Sequence, residues 1–179
     1  MRELDFKVES VSALGAGERT LSVALSVASI LSELRVESIS LTVQVQIEPA
    51  RRRYTDDERR ALADLFGEPE RWSTTVRPLF WTIINVAVPA FVGGTRSELL
   101  LPCPKESDIA AAKYLRALQS DDIPASLLFS GRVFHWKNGV VQMAPIPWSK
   151  ECLFRIPLRV YEEAMAARER VTAGGAIWM

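Results

Sequence analysis

The strongest constraint on the fold is a run of alternating apolar and polar residues from Ile39 to Glu48. Aliphatic side chains occupy every second position, and serine, threonine, glutamine and glutamate fill the positions between them. Successive side chains of a β-strand point to opposite faces of a sheet, so this pattern predicts a strand with one buried face and one solvated face. Such half-buried strands are typical of antiparallel sheets.

Further segments predict that antiparallel strands dominate the chain. Residues 4–8 and 21–27 alternate in the same way and predict two opening strands. Residues 79–88 mix aromatic and β-branched side chains, and with residues 97–102 they predict a second, buried strand pair. Residues 153–158 predict a final short strand.

A hairpin is predicted around Asn138-Gly139, which separates residues 126–136 from residues 140–146. A two-residue type I′ turn requires positive φ at both of its central residues. Asparagine followed by glycine is the pair that adopts this conformation most readily. The two flanking segments should therefore be neighbouring antiparallel strands.

Three segments have features of helices. Thr55 and Glu58 match a capping box and predict a helix start, and Gly67 supplies its end. The alanine-rich residues 107–118 favour a second helix, and residues 159–171 carry apolar side chains at helical spacing. Helices should therefore accompany the strands.

These elements predict an α+β fold built on antiparallel sheets, as a two-sheet sandwich with two or three helices. The alternative is a single curved sheet with helices on one face. At 179 residues, and without a linker or internal repeat, the chain should form a single domain spanning residues 1–179.

Composition narrows the classes of partner and the compartment. The chain has 22 Lys and Arg and 22 Asp and Glu, so it lacks the net positive charge that draws a protein to nucleic acid. Residues 1–5 alternate in charge where a signal peptide requires an apolar run, so we expect a cytoplasmic protein. The most apolar stretch, residues 79–92, is interrupted by Pro89 and too short to span a membrane.

The sequence offers no recognisable catalytic or metal site. His135 is the one histidine, and the positions of Cys103 and Cys152 match neither a disulfide framework nor a zinc site. We expect two reduced, buried thiols and a half-exposed histidine. Phosphate-binding glycine loops and nucleophilic serine motifs are also absent from the sequence. We therefore expect no cofactor, no metal and no catalytic residue, although composition alone does not decide whether the protein is an enzyme.

One candidate binding cluster is Arg51, Arg52, Arg53 and Tyr54, where the long strand passes into the first helix. Three guanidinium groups and a ring could clamp a phosphate or nucleic-acid backbone. Acidic residues follow at positions 56–58, and the favoured interpretation is a solvated loop in which these charges partly neutralise one another.

Trp72 and Trp148 are candidate interface residues, since both lie in polar or proline-flanked connections. A large ring in such a connection either covers a sheet edge or contacts a partner. Placement of either ring in the core is the alternative, and the sequence favours it.

Several segments together resemble an uncharacterised bacterial protein family associated with gene clusters that encode nickel-iron hydrogenases, chiefly in actinobacteria and soil bacteria. The resemblance extends from residue 4 to about residue 165. It rests on Ile47 to Tyr54, on Leu65 to Pro69 with Arg71-Trp72, on Ala110 to Tyr114, and on Leu128 to Gly131 followed by Pro147 to Glu151. The family has no assigned activity, so the resemblance implies a cellular context rather than a reaction.

The leading hypothesis is a non-catalytic accessory protein that binds another protein, in the assembly, maturation or scaffolding of a nickel-iron hydrogenase. A hydrogenase subunit or maturation factor would be the partner, and direct nickel delivery is disfavoured because soft or imidazole ligands are scarce. The alternatives are a chaperone-like module with an apolar groove for unfolded clients, and a small-ligand-binding protein or enzyme with its site in the sandwich interior. A homodimer through a sheet edge is also compatible with the sequence, because few charges block the strands.

Overall fold

The alternating run forms the centre of the larger of two sheets. In the computed structural model, which describes residues 3–15 and 17–166, the central strand β3 spans Arg35–Ile47. Its five aliphatic side chains from Ile39 to Ile47 are buried, and the polar side chains between them face outward. The prediction of one buried and one solvated face is confirmed.

Within the described residues, nine strands form two antiparallel sheets. The strands are β1 (Leu4–Ala13), β2 (Thr20–Ser29), β3, β4 (Leu79–Val88), β5 (Phe91–Val92), β6 (Gly94–Pro102), β7 (Asp122–Lys137), β8 (Val140–Pro145) and β9 (Glu151–Pro157). The helices are α1 (Asp56–Phe66), α2 (Trp72–Thr75), α3 (Ile109–Ala117) and a last helix over residues 158–166, with short 3-10 turns at Pro49–Arg51 and Pro69–Arg71.

The two sheets pack face to face, as the predicted sandwich requires. The smaller sheet has the order β1-β2-β6. In the larger sheet β4, β3, β7 and β8 follow one another, β5 extends the edge of β3 beyond β4, and β9 pairs with the same edge of β7 as β8. The Phe6 ring of β1 stacks on the Phe129 ring of β7 with 4.3 Å between centroids, which joins the sheets across one apolar core. The α+β class and the two-sheet architecture are confirmed.

The second strand pair was predicted wrongly. Residues 79–88 and 97–102 both form strands, but β4 pairs with β3 in the larger sheet and β6 pairs with β2 in the smaller one. The chain passes between the sheets at Gly93, whose φ of 74° favours glycine and whose N–H donates to the Leu34 carbonyl. The closeness of the two segments in the sequence suggested that they pair with each other. Both sheets need an apolar inner face, and this need places the two strands in different sheets.

The predicted hairpin and helices are confirmed where the structure describes them. Asn138 and Gly139 have φ values of 53° and 74° and join β7 to β8. Both hydrogen bonds of the capping box at Thr55 and Glu58 are formed. The last helix is present over residues 158–166, and the rest of its predicted span lies outside the described residues. None of the described helices has the length and apolar character needed to cross a bilayer.

The helices gather at one end of the sandwich. β3 and β6 end there, and α1 and α3 follow them. β4 and β7 begin at the same end, and α1 packs against α3 with Leu62 and Phe66 of α1 buried. The Arg51 to Tyr54 segment connects β3 to α1, so this end of the sandwich contains the cluster selected from the sequence.

The packing of β3 on β7 depends on a glycine. Gly131 has a φ of 131°, and a Cβ atom at this position would collide with the backbone carbonyl oxygen of Ser40 on β3. We expect Gly131→Ala to lower the free energy of unfolding by roughly 3 kcal/mol or more, measured by urea denaturation. Gly15→Ala is the matched control, because that glycine has open space around it, and it should change stability by less than about 0.5 kcal/mol. Equal effects of the two substitutions would contradict this account of the β3–β7 junction.

Candidate functional site

The middle arginine of the cluster points into the protein. The Arg52 side chain is only 3% exposed, and its Nη2 atom contacts both carboxylate oxygens of Glu58 at 2.9 and 2.8 Å. Its Nη1 atom donates to the carbonyls of Ser120 and Asp122 at 2.7 and 3.0 Å, and its Nε atom donates to the Arg53 carbonyl at 2.9 Å. A guanidinium with all of its nitrogens engaged in this way is not available to a phosphate.

Glu58 is a completely buried carboxylate. It accepts hydrogen bonds from the backbone N–H groups of Thr55 and Gln119, each at 2.9 Å. Burial by itself would raise the pKa of Glu58, but these donors and the Arg52 guanidinium outweigh burial and hold the pKa below its ordinary value. The pair therefore stays ionised and ties the start of α1 to the segment that leads into β7.

The aromatic members of the predicted site also pack inward. The Tyr54 ring meets the rings of Trp72 and Tyr114 edge to face, with centroids 5.5 and 6.2 Å apart. The Trp72 indole N–H donates to the Gly67 carbonyl at 2.9 Å, and its ring also packs on Phe66. Among the predicted site residues, the structure thus brings Arg52, Tyr54 and Trp72 together. With Tyr114 they form a cluster between the helices and the sheet, which we call the joint.

The two tyrosines of this joint are coupled phenols. The Tyr54 hydroxyl donates to the Pro49 carbonyl at 2.5 Å, and because it has a single proton, the Tyr114 hydroxyl donates to it across 2.7 Å. Burial raises the pKa of Tyr54 to about 12 and raises the pKa of Tyr114 further. Both are therefore neutral at physiological pH and supply no general base.

The flanking arginines have a different environment. Arg51 and Arg53 are exposed, and the backbone carbonyl of Arg51 accepts a hydrogen bond from Nη2 of Arg155 on β9 at 2.6 Å. Arg51 and Arg155 line a cavity of about 340 Å³ at the edge of the larger sheet. A second cavity, of about 300 Å³, lies between α3 and the last helix.

Trp148 stands apart from the joint. Its side chain is 92% exposed in the connection between β8 and β9. Lys150 of the same connection forms an ion pair with Asp5 on β1, with Nζ and Oδ1 2.8 Å apart. Of the two tryptophans selected from the sequence, Trp72 therefore belongs to the aromatic joint and Trp148 faces solvent.

A surface that the sequence analysis missed is the solvent-facing side of the larger sheet. We call it the outer face and define it by five exposed apolar side chains. These are Phe80, Ile83, Val141, Met143 and Leu153. They occupy the outward positions of β4, β8 and β9, so the segment 79–88 that was predicted as a buried strand is buried on one side only. When apolar residues occupy both faces of a strand, the sequence pattern does not show that one face is exposed.

Metal-binding and nucleophilic groups are sparse. In the described part of the chain, no three His, Cys, Asp or Glu side chains are arranged to hold a metal ion. Cys103 is buried, which raises the pKa of its thiol to about 11, whereas Cys152 is only half-buried, and the two are unpaired. His135 is half-buried as expected, and its Nδ1 atom has no hydrogen-bond partner.

Comparison with known proteins gives a family but no activity. A family described as "Family of unknown function (DUF6084)" matches residues 1–178. No curated protein matches the sequence significantly. The fold is similar to that of Spo0M, a sporulation control protein from Bacillus subtilis, at 11% identity and a TM-score of 0.35, covering 87% of this chain and 48% of that one. It is also similar to a protein described as a "putative late embryogenesis abundant (LEA) protein", at 16% identity and a TM-score of 0.35, covering 86% of this chain and 71% of that one. The chain thus spans about half the length of Spo0M, and similarities this low carry no argument about function.

Because Arg52 and Glu58 form a buried ion pair, replacing Arg52 should lower the free energy of unfolding far more than replacing the neighbouring Arg53. Arg52→Ala leaves the Glu58 carboxylate buried without its cation, so we expect a loss of about 3–5 kcal/mol in the free energy of unfolding. Arg53→Ala removes an exposed guanidinium and should cost less than about 0.5 kcal/mol. Urea denaturation of both variants measures the difference. A loss for Arg52→Ala as small as that for Arg53→Ala would refute the structural role assigned to the pair.

The raised pKa values of the buried tyrosines predict that the protein becomes less stable at alkaline pH. The unfolded chain releases the Tyr54 proton near pH 10, whereas the folded chain retains it to about pH 12. Unfolding therefore releases protons above pH 10, and the free energy of unfolding should fall by up to about 1.4 kcal/mol per pH unit for this group. Tyr54→Phe should show a shallower decline between pH 9 and 11. An unchanged slope in that variant would show that Tyr54 titrates normally in the folded protein.

Proposed function

We propose that this chain, which belongs to the DUF6084 family of unknown function, is a non-catalytic accessory protein that binds a folded partner protein through the outer face. The observation that carries the proposal is the set of five large apolar side chains exposed on that face. The Phe80 and Met143 side chains are 55% and 54% exposed, although they lie in regular strands. Solvated sheet faces of monomeric proteins usually carry polar residues at such positions, and exposed apolar patches mark interaction sites.

The strand registers align these side chains across the sheet. Phe80 of β4 lies opposite Gln46 of β3, which lies opposite Ser126 of β7, and Leu153 of β9 completes that row. Met143 lies opposite Phe134 of β7 in a second row. Apolar side chains therefore flank the polar row of β3 on both sides, and the exposed Arg132 of β7 lies beside that row, opposite Ser40.

The size and charge of the outer face fit a protein partner. Four strand positions about 4.8 Å apart, over a shared length of roughly ten residues, present a surface of roughly 600 Å², near the lower end for a specific interface. From Ser38 to Gln46 the outward side chains of β3 are serine, threonine and glutamine. Charged side chains are usually few at interface cores, and Arg132 of β7 is the one that lies opposite this row, so the complementary partner surface should be mainly apolar with an acidic group facing Arg132.

The alternative functions fit the structure less well. A chaperone-like module would hold an unfolded client in a continuous apolar groove, but the apolar side chains of the outer face are divided by the polar row of β3. An enzyme or small-ligand protein with its site inside the sandwich would need an interior cavity. Within the described residues, the inner faces of both sheets carry one apolar cluster, and the two cavities described above lie at the margins.

The sequence resemblance supplies the context of the proposal. It suggests that the partner is a subunit or maturation factor of a nickel-iron hydrogenase, and we propose that the protein acts in the cytoplasm. The scarcity of grouped metal ligands among the described residues favours a role in binding protein rather than in carrying nickel. A second copy of this chain, paired through a sheet edge, is the competing partner.

The test begins with affinity purification of the tagged protein from its host under hydrogenase-inducing conditions. A hydrogenase subunit or maturation factor identified in near-stoichiometric amount is then purified, and its affinity for the protein is measured. The double variant Phe80→Lys/Met143→Lys should weaken binding at least tenfold, because it places two charges within the proposed contact. Leu100→Lys is the matched control: Leu100 is 48% exposed on the smaller sheet, and its replacement should change affinity less than twofold.

Three outcomes would overturn the proposal. Recovery of the protein alone contradicts the accessory role. Equal weakening by Leu100→Lys and by the double variant contradicts the assignment of the outer face. Preferential binding of unfolded chains, or self-association in place of a partner, favours the chaperone or homodimer alternatives. Circular dichroism and urea denaturation of each variant distinguish lost contacts from lost folding.

A further inference from the structure

We infer that Arg51 and Arg155 form a binding site for a small organic anion, with a carboxylate or phosphate head and an apolar body. This inference concerns the cavity at the edge of the larger sheet, which shares Leu153 with the outer face but does not require the protein-binding role proposed for that face. It replaces the phosphate clamp that the arginine cluster suggested, because Arg52 is engaged with Glu58 and only the flanking arginines are open to solvent.

The cavity is built from regular structure. The 3-10 turn Pro49–Arg51 lies beside the paired strands β7 and β9, in which Pro124 is opposite Arg155 and Ala125 is opposite Phe154. Its volume of about 340 Å³ falls within the range of small-molecule sites. The lining residues are Arg51, Pro124, Ala125, Leu153, Phe154 and Arg155.

The two guanidinium groups lack a balancing acid. In the described part of the chain, neither Arg51 nor Arg155 lies within ion-pair distance of a carboxylate. The acidic residue nearest to Arg51 in the sequence is Glu48, which accepts a hydrogen bond from the Ser126 hydroxyl at 2.7 Å. Two like charges at one cavity repel each other, and a bound anion would convert that repulsion into attraction.

The Arg155 side chain is held at the cavity by a hydrogen bond within the protein. Its Nη2 atom donates to the Arg51 carbonyl at 2.6 Å, which orients the guanidinium beside the cavity and leaves its other N–H groups available. Arg51 makes no side-chain hydrogen bond or ion pair within the described residues, so its planar group can turn towards a ligand. A carboxylate or phosphate can accept paired hydrogen bonds from such groups.

The remaining lining determines the class of anion. Leu153, Phe154 and Pro124 contribute apolar surface, and Leu153 is exposed. A bare phosphate would satisfy the arginines but leave this surface in water. An anion with an attached hydrocarbon would cover it as well, and burial of that hydrocarbon would strengthen binding. The site should therefore favour amphiphilic acids over inorganic ions.

The test is calorimetric titration of the purified protein with hexanoate, hexyl phosphate, inorganic phosphate and the neutral hexanamide. We expect either amphiphilic anion to bind at least tenfold more tightly than inorganic phosphate or hexanamide. Comparison of hexanoate with hexyl phosphate identifies the preferred head group. Arg51→Gln and Arg155→Gln should each weaken binding at least tenfold.

Arg53→Gln is the matched control, because it removes the same charge two residues from Arg51 but does not line the cavity. Binding should change less than twofold in that variant. Equal weakening by Arg53→Gln would show that the anions are attracted only by the general charge of this region. Equal affinities for hexanamide and hexanoate would show that the cavity binds the apolar body and does not recognise the anion. Absence of measurable binding by both amphiphilic anions would refute the site. Arg51 makes no side-chain hydrogen bond or ion pair within the described residues, so Arg51→Gln tests the proposal without disturbing the fold.

Discussion

The structure depends on the double constraint placed on β3, which pairs with neighbours along both edges and buries one complete face. Its partners β4 and β7 inherit their register from it, and β8 and β9 are then added to the far edge of β7. The buried face requires a second apolar layer, which β1, β2 and β6 provide. The opposite face has no covering layer within the described chain. The same strand therefore produces both the core and the surface on which the proposed function rests.

The arginine cluster shows how a charge pattern can have two roles within three residues. Backbone direction sends consecutive side chains to different sides, so Arg52 enters the protein while Arg51 and Arg53 remain outside. A buried guanidinium requires a carboxylate and several carbonyl acceptors, and Glu58 and the neighbouring loops supply them. This pair fixes the turn before α1. It thereby places Arg51 at the cavity where Arg155 also lies.

The two proposed surfaces are chemically distinct. The outer face is broad, apolar at its sides and polar along β3, which fits a folded protein rather than a small ligand. The cavity at β9 is small, concave and cationic, which fits an acid with a hydrocarbon body. Leu153 belongs to both surfaces, so they meet at β9.

The sequence by itself determined the α+β class, the half-buried central strand, the Asn138-Gly139 hairpin and the capping box of α1. Each depends on interactions between residues close in the chain or on a period of two, which are visible without tertiary structure. Only the tertiary structure decided that β4 and β6 belong to different sheets, and only the tertiary structure joined Arg155 to Arg51, since they are distant in sequence. Pairing partners and convergent side chains are selected by burial and by long-range hydrogen bonds, which no local pattern records.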